Sequence, residues 1–219
     1  MAGACMNTEF FRTRVNAFIL MAPVATLNDV QSTGVKQLKS NETVVEWLRG
    51  MGPELFAKPS ITKNSIVNNN FAGFFKMTGI GNISMSKAID RNPHKNMSPF
   101  GTQTIIGHTP CGVSFRSLDH FRQICVSGKF ASYDFGAIRN AKEYPEHHNV
   151  YLPPPQFDLS TLSNLPIVLL CGKEDLLASP KDYLWLAAQL TSVNSCLHFK
   201  EYELGHLGFL VPPEGSTIT

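Results

Sequence analysis

Between Pro166 and His206 the chain reads as strand, helix, strand, an order that few folds accommodate. Pro166-Ile167-Val168-Leu169-Leu170-Cys171 is an apolar run of strand length that opens onto Gly172. Ser179-Pro180-Lys181-Asp182 then supplies a capping hydroxyl, a proline suited to the first helical position and an acid three residues after the cap. Tyr183, Leu184, Leu186, Ala187 and Leu190 are the expected inner face of that helix, and Cys196–Tyr202 is a second strand followed by Gly205-His206. A short helical crossover between two strands makes them parallel, so the fold class is α/β.

In an open parallel sheet, reactive groups gather beyond the C-terminal ends of the strands. Asp175 follows the first of these strands and His206 the second. A carboxylate bonded to one imidazole nitrogen fixes the tautomer and stabilises the imidazolium, which leaves the other nitrogen as a general base. The plainer alternative is an Asp that caps its own turn and a Gly-His that is an ordinary loop. His147-His148 are adjacent in a proline-flanked loop and read as a solvated face rather than a metal site.

Elsewhere the pattern is less regular. The first 27 residues read as a short helical stretch and a buried strand over 15–22. Arg12 and Arg14 before that apolar run imitate a signal peptide, but Glu9, Phe10 and Phe11 precede them and Pro23 spoils the cleavage site. From Asn41 to Met51 the spacing of Val44, Val45, Trp47 and Leu48 is helical, with Thr43 as a candidate cap. Residues 52–107, rich in Gly, Asn, Ser, Phe and Met, show no sustained period and read as an inserted subdomain of short helices. Phe115, Leu118, Phe121, Ile124 and Cys125 then mark one helical face, with Ser114 as its cap and Ser127-Gly128 as its stop. Prolines make 144–158 an extended loop.

Composition excludes several function classes. Of 219 residues 43% are apolar, enough to build a core, while the 16% that are charged fall below the ~25% of an average soluble domain. A net charge of +2 without basic runs gives no nucleic-acid footprint. No stretch reaches the ~18–20 apolar residues of a transmembrane segment. Five widely spaced cysteines fit neither a zinc cluster nor a disulfide scaffold. Three glycosylation sequons, at Asn41, Asn82 and Asn96, are close to what composition alone produces.

Several segments together carry a resemblance. Phe18-Ile-Leu-Met-Ala-Pro-Val-Ala-Thr26, His108-Thr-Pro-Cys-Gly-Val-Ser114, Phe130-Ala-Ser-Tyr-Asp-Phe-Gly136, Tyr151-Leu-Pro-Pro-Pro155, Cys171-Gly-Lys-Glu-Asp175 and Gly205-His206-Leu207 follow one another over residues 10–212. Their order and spacing resemble the C-terminal portion of the acid lipases, the gastric and lysosomal lipases of the α/β-hydrolase fold.

The resemblance implies that Asp175 is the triad acid and His206 the general base. It also implies a hydrolase core in 1–51 and 108–219, with a cap or lid in 52–107 over an acyl-chain pocket. Neither cofactor nor metal is implied. The expected substrate is a neutral lipid ester, triacylglycerol or sterol ester, reached through contact of the cap with a lipid–water interface. Relatives of this type suggest lysosome or secretion.

The departure from the pattern is the nucleophile. The family's serine sits in a Gly-x-Ser-x-Gly elbow ahead of the Phe18–Thr26 strand, and this chain contains no such motif. Gly112-Val113-Ser114 is followed by Phe115-Arg116, and Ser114 suits a helix cap better. Cys5 and Cys111 read as packing residues rather than substitute nucleophiles. The chain is therefore expected to be a truncated hydrolase that starts just after its serine and also lacks the oxyanion-hole donors. The rival expectation is an inactive lipid-binding or interaction protein derived from the same fold.

Overall fold

A computed structural model of the chain describes residues 1–55, 89–92, 98, 112–145 and 153–211. In chain order its elements are α1 (Ala2–Met6), α2 (Thr8–Arg12), β1 (Phe18–Met21), α3 (Thr33–Ser40), α4 (Glu42–Gly50), β2 (Glu54–Leu55), β3 (Val113–Ser114), α5 (Phe115–Ser127), α6 (Ala137–Glu143), β4 (Ile167–Gly172), α7 (Pro180–Ser192) and β5 (Cys196–Tyr202). Single 3-10 turns occupy Leu159–Leu162 and Leu207–Phe209. Most of 52–107, and with it Asn82, Asn96 and most of the expected cap, lies outside the described residues, as do Cys111 and His147-His148.

β1, β4 and β5 form a parallel sheet in the order β1-β4-β5, with Phe18 opposite Ile167 and Leu169 opposite Phe199. The strand–helix–strand unit expected at 166–206 is therefore present. Ile167, Leu169 and Cys171 project from β4 into a core completed by Tyr183, Leu186 and Leu190 of α7 and by Leu159, Leu162 and Leu165. Ser179 caps α7, accepting from the Asp182 amide, and Pro180 opens the helix. Leu184, expected to face inward, is 47% exposed; it lies one residue, about 100°, past Tyr183, outside the stripe that 183, 186, 187 and 190 make.

β1 is shorter than expected and its burial is one-sided. The amide of Val15 still closes the turn after α2, donating to Phe11 O, and Ala22 ends the strand with φ +47°. Phe18 and Leu20 pack on the core, while Ile19 is 65% and Met21 50% exposed. Their neighbours across the register, Val168 and Leu170, are half-buried on the same outer face.

A second cluster joins Leu38 of α3, Val44 and Leu48 of α4, and Leu55, with Val113, Phe115 and Leu118 packed against it. α4 is capped by Asn41, whose side chain accepts from the Val44 amide, so the cap falls two residues before Thr43. α5 begins at its expected cap, Ser114, and stops at Gly128 with φ +68°. Phe121 of its expected apolar face is 40% exposed. Asp119 takes an inward position instead, bonded by Arg122 Nε at 2.7 Å, Gln123 Nε2 at 3.2 Å and Tyr133 Oη at 2.7 Å.

β2 and β3 pair antiparallel, Glu54 opposite Ser114 and Leu55 opposite Val113, and the Phe115 amide donates to Pro53 O at 2.9 Å. The long segment between these strands thus leaves and rejoins the described fold at one place. A buried carboxylate ties the loop after β1 to α7: Asp182 accepts from Thr26 Oγ1 (3.0 Å), Asn28 N (3.0 Å), Asp29 N (3.1 Å) and Ser179 Oγ (3.1 Å).

Candidate active site

The end of β4 turns sharply, and the turn decides where Asp175 points. The Asp175 amide returns to Gly172 O, while Lys173 and Glu174 donate to Tyr202 O and Leu204 O of the neighbouring chain segment. The loops after β4 and β5 are in this way laced together. Asp175 is 1% exposed. Its Oδ1 accepts from the amides of Leu177 (2.7 Å) and Ala178 (2.8 Å), which leaves Oδ2 to meet His206 Nδ1 at 2.9 Å. Two backbone donors fix the carboxylate, so its orientation does not depend on the histidine.

His206 sits at the start of the 3-10 turn Leu207–Phe209, whose Phe209 packs on Ala22 and Leu204 and stands edge-on to Tyr202. The His206 side chain is 25% exposed. Burial alone would push the imidazole pKa down, but the hydrogen bond and charge of Asp175, joined by the charge of Asp90, carry it above its ordinary value. An imidazole with Nδ1 engaged by a carboxylate presents Nε2 as the nitrogen that can exchange a proton with a third group. The structure thus brings together the two residues that the sequence singled out.

It adds a third that the sequence did not reveal. Asp90 is fully buried, and its carboxylate accepts from the His206 amide (2.5 Å) and the Leu207 amide (3.2 and 3.3 Å). Burial pushes its pKa up to about 6, against the pull of those two amides and with a further push from the Asp175 charge. Asp90 lies in the aperiodic segment 52–107, so neither spacing nor a flanking motif marks it.

Other candidates occupy structural positions. Ser114 Oγ accepts from the Arg116 amide, as a cap does. Cys5 is half-buried on α1 against the main core, and desolvation raises its thiol pKa, which disfavours the thiolate that a nucleophile needs. Among the described residues no group of three or more His, Cys, Asp or Glu is placed to hold a metal, and no helix among them is long and apolar enough to cross a membrane.

No family model matches the chain. It is 27% identical to human gastric triacylglycerol lipase over 207 residues, which cover 90% of this chain and 47% of the relative. It is 28% identical to Lipase 1 of Drosophila melanogaster over 191 residues, 78% of this chain and 42% of the relative. Over 124 residues, 56% of this chain and 29% of the relative, it is 32% identical to bovine gastric triacylglycerol lipase. The chain thus spans under half the length of the curated relatives it matches. These relatives imply an α/β-hydrolase fold, with which the parallel sheet and its helices agree.

Proposed function

Since the chain is a relative of the gastric and acid lipases, we propose that it is the C-terminal part of an ester hydrolase and carries that enzyme's acid and base. Asp175 holds and charge-stabilises the imidazole of His206, and His206 Nε2 takes the proton from a serine hydroxyl as it attacks the ester carbonyl. The same nitrogen returns the proton to the departing alcohol, and water then repeats the sequence on the acyl-enzyme. The serine and the oxyanion-hole donors come from sequence outside these 219 residues, which contain no Gly-x-Ser-x-Gly segment. The substrates are neutral lipid esters, triacylglycerols or sterol esters.

The observation that carries this reading is the 2.9 Å bond between Asp175 Oδ2 and His206 Nδ1 beyond the ends of two adjacent parallel strands. The exposed Ile19 and Met21 on a parallel sheet support a core that continues, because such sheets are covered on both faces. The pairing of Glu54–Leu55 with Val113–Ser114 supports a cap in 52–107 inserted between core segments 1–51 and 108–219. That cap meets the lipid–water interface.

Without its serine the chain by itself hydrolyses esters poorly; losing the triad costs on the order of 10⁶ in turnover. The test is to read the transcript upstream of Met1 and assay the complete protein on emulsified trioleoylglycerol. An in-frame strand and Gly-x-Ser-x-Gly, with hydrolysis abolished by Asp175→Ala and by His206→Ala, is the expected result. Activity that survives His206→Ala would overturn it.

A further inference from the structure

The segment 89–92 lies across both loops that carry the proposed acid and base. Ile89 O accepts from the Leu176 amide at 2.8 Å, and the Arg91 amide donates to Glu174 O at 3.0 Å. Asn92 Nδ2 reaches Glu174 Oε2 at 3.0 Å, and Asp90 bridges Asp175 in antiparallel fashion. From this seat the Asp90 side chain passes to the other loop and accepts the amides of His206 and Leu207.

We propose that Asp90 is a positioning residue for the base: it fixes the backbone of His206 so that the imidazole stays on Asp175, and it places a second carboxylate behind that imidazole. This rests on the reading of Asp175 and His206 as the catalytic pair. Two features distinguish it from ordinary packing. The carboxylate spends its acceptor capacity on the amide of the base itself and of its neighbour, and the four-residue segment holding it touches the acid's loop on one side and the base's loop on the other. Asp90 therefore couples the inserted segment to the geometry of the proposed proton-transfer group.

The charged groups around Asp90 are Asp175 from the loop after β4, His206 from the loop after β5, and, at the edge of the same segment, Arg91 with Glu174. Ionised, Asp90 favours the imidazolium; protonated, it keeps an acceptor oxygen for the amides but withdraws its charge from His206. An asparagine reproduces the second condition at every pH.

The test is an NMR titration of the ¹⁵N-labelled 219-residue chain, with His206→Ala to assign the ring signals. In Asp90→Asn the His206 titration midpoint should fall while the amide shifts of His206 and Leu207 stay near their original values. In Asp90→Ala the midpoint should fall as well, and both amides should move upfield and exchange faster. A His206 midpoint unchanged in Asp90→Asn would overturn the proposal, and that variant decides it even where Asp90→Ala does not fold. The titration needs no turnover. Its failure is thus distinguishable from failure of the catalytic reading, which a hydrolysis assay of His206→Ala in the complete protein decides.

Discussion

Gly205 and Asp90 meet so closely that a β-carbon added at Gly205 would stand 2.3 Å from the Asp90 carboxyl carbon. The missing side chain makes room for a buried carboxylate, and the next residue along is the histidine whose amide that carboxylate accepts. Gly205 and Asp90 are 115 positions apart in sequence, by subtraction of their numbers, yet the carboxylate at one occupies the space that a side chain at the other would need.

Gly205→Ala should therefore destabilise the chain by about 2 kcal/mol, within the range for overpacking a filled site. The Asp90 carboxylate is held by two amides and cannot swing away freely. A urea midpoint within error of the original would show that the contact relaxes without cost.

Stability should fall as pH rises from about 4 to neutrality. Asp90 keeps its proton to about pH 6 in the folded chain and to about 3.8 when unfolded, so between those values the folded state binds the extra proton. His206, also raised, contributes stability that is complete below 6.5 and lost as pH passes its folded value. Asp29 and Asp158, whose pKa values are lowered, act in the opposite sense only as pH drops below their unfolded value of 3.8. For Asp90 a displacement of about two pH units sets a ceiling of ~3 kcal/mol. The melting temperature should be higher at pH 5 than at 7.5, and Asp90→Asn should flatten the slope below pH 6; a melting temperature that climbs across that range contradicts both assignments.

Asp182→Ala should cost about 3 kcal/mol. It strands the buried hydroxyls of Thr26 and Ser179, each worth ~1–3 kcal/mol when left unpaired, while the amides of Asn28 and Asp29 lie nearer solvent and can turn to water. Denaturant unfolding measures it, and a loss below 1 kcal/mol would mean that water or a shifted loop replaces the carboxylate.

In the longer ester hydrolase proposed above, Asp175→Asn should lower kcat by about 10⁴ with little change in KM, the scale set by losing the carboxylate that orients a triad histidine. The asparagine carbonyl can keep the amides of Leu177 and Ala178, which turns its NH₂ toward Nδ1 and favours the wrong tautomer. Retention of a tenth or more of kcat would remove Asp175 from the mechanism.

Ile19→Glu should be nearly neutral for the stability of this chain, where that side chain is 65% exposed. In the longer protein proposed above, with that face of the sheet covered, the same change should cost about 2 kcal/mol through lost apolar burial. Equal effects in both would argue against a covered outer face.

The parts legible in the sequence were those written locally. Ser179-Pro180 and Ser114 announce helix starts because a capping hydroxyl and a proline act within one turn, and Gly128 announces a stop because it enters the left-handed region. Asp175 and His206 were found because a parallel strand–helix–strand unit delivers both strand ends to one edge. What escaped depends on contacts between distant segments. Asp182 reads as the acid that follows the Ser179 cap, and it does sit in the first turn of α7, but it also anchors Thr26 and Asn28. Asp90 had no periodic neighbours to mark it, and its role exists only where Gly205 makes space. The one-sided burial of β1 was hidden because an apolar run looks the same whether one face or two are covered.

The pairing of Glu54–Leu55 with Val113–Ser114 gives the segment between them clamped ends, in a ladder separate from the three-stranded parallel sheet. Topologically it is a cassette, tied to the rest of the fold at its two ends and again through residues 89–92. Asp90, however, travels with the cassette. An exchange that omitted this carboxylate would also lower the proton affinity of His206, so the inserted segment and the base it tunes are inherited together on one stretch of chain.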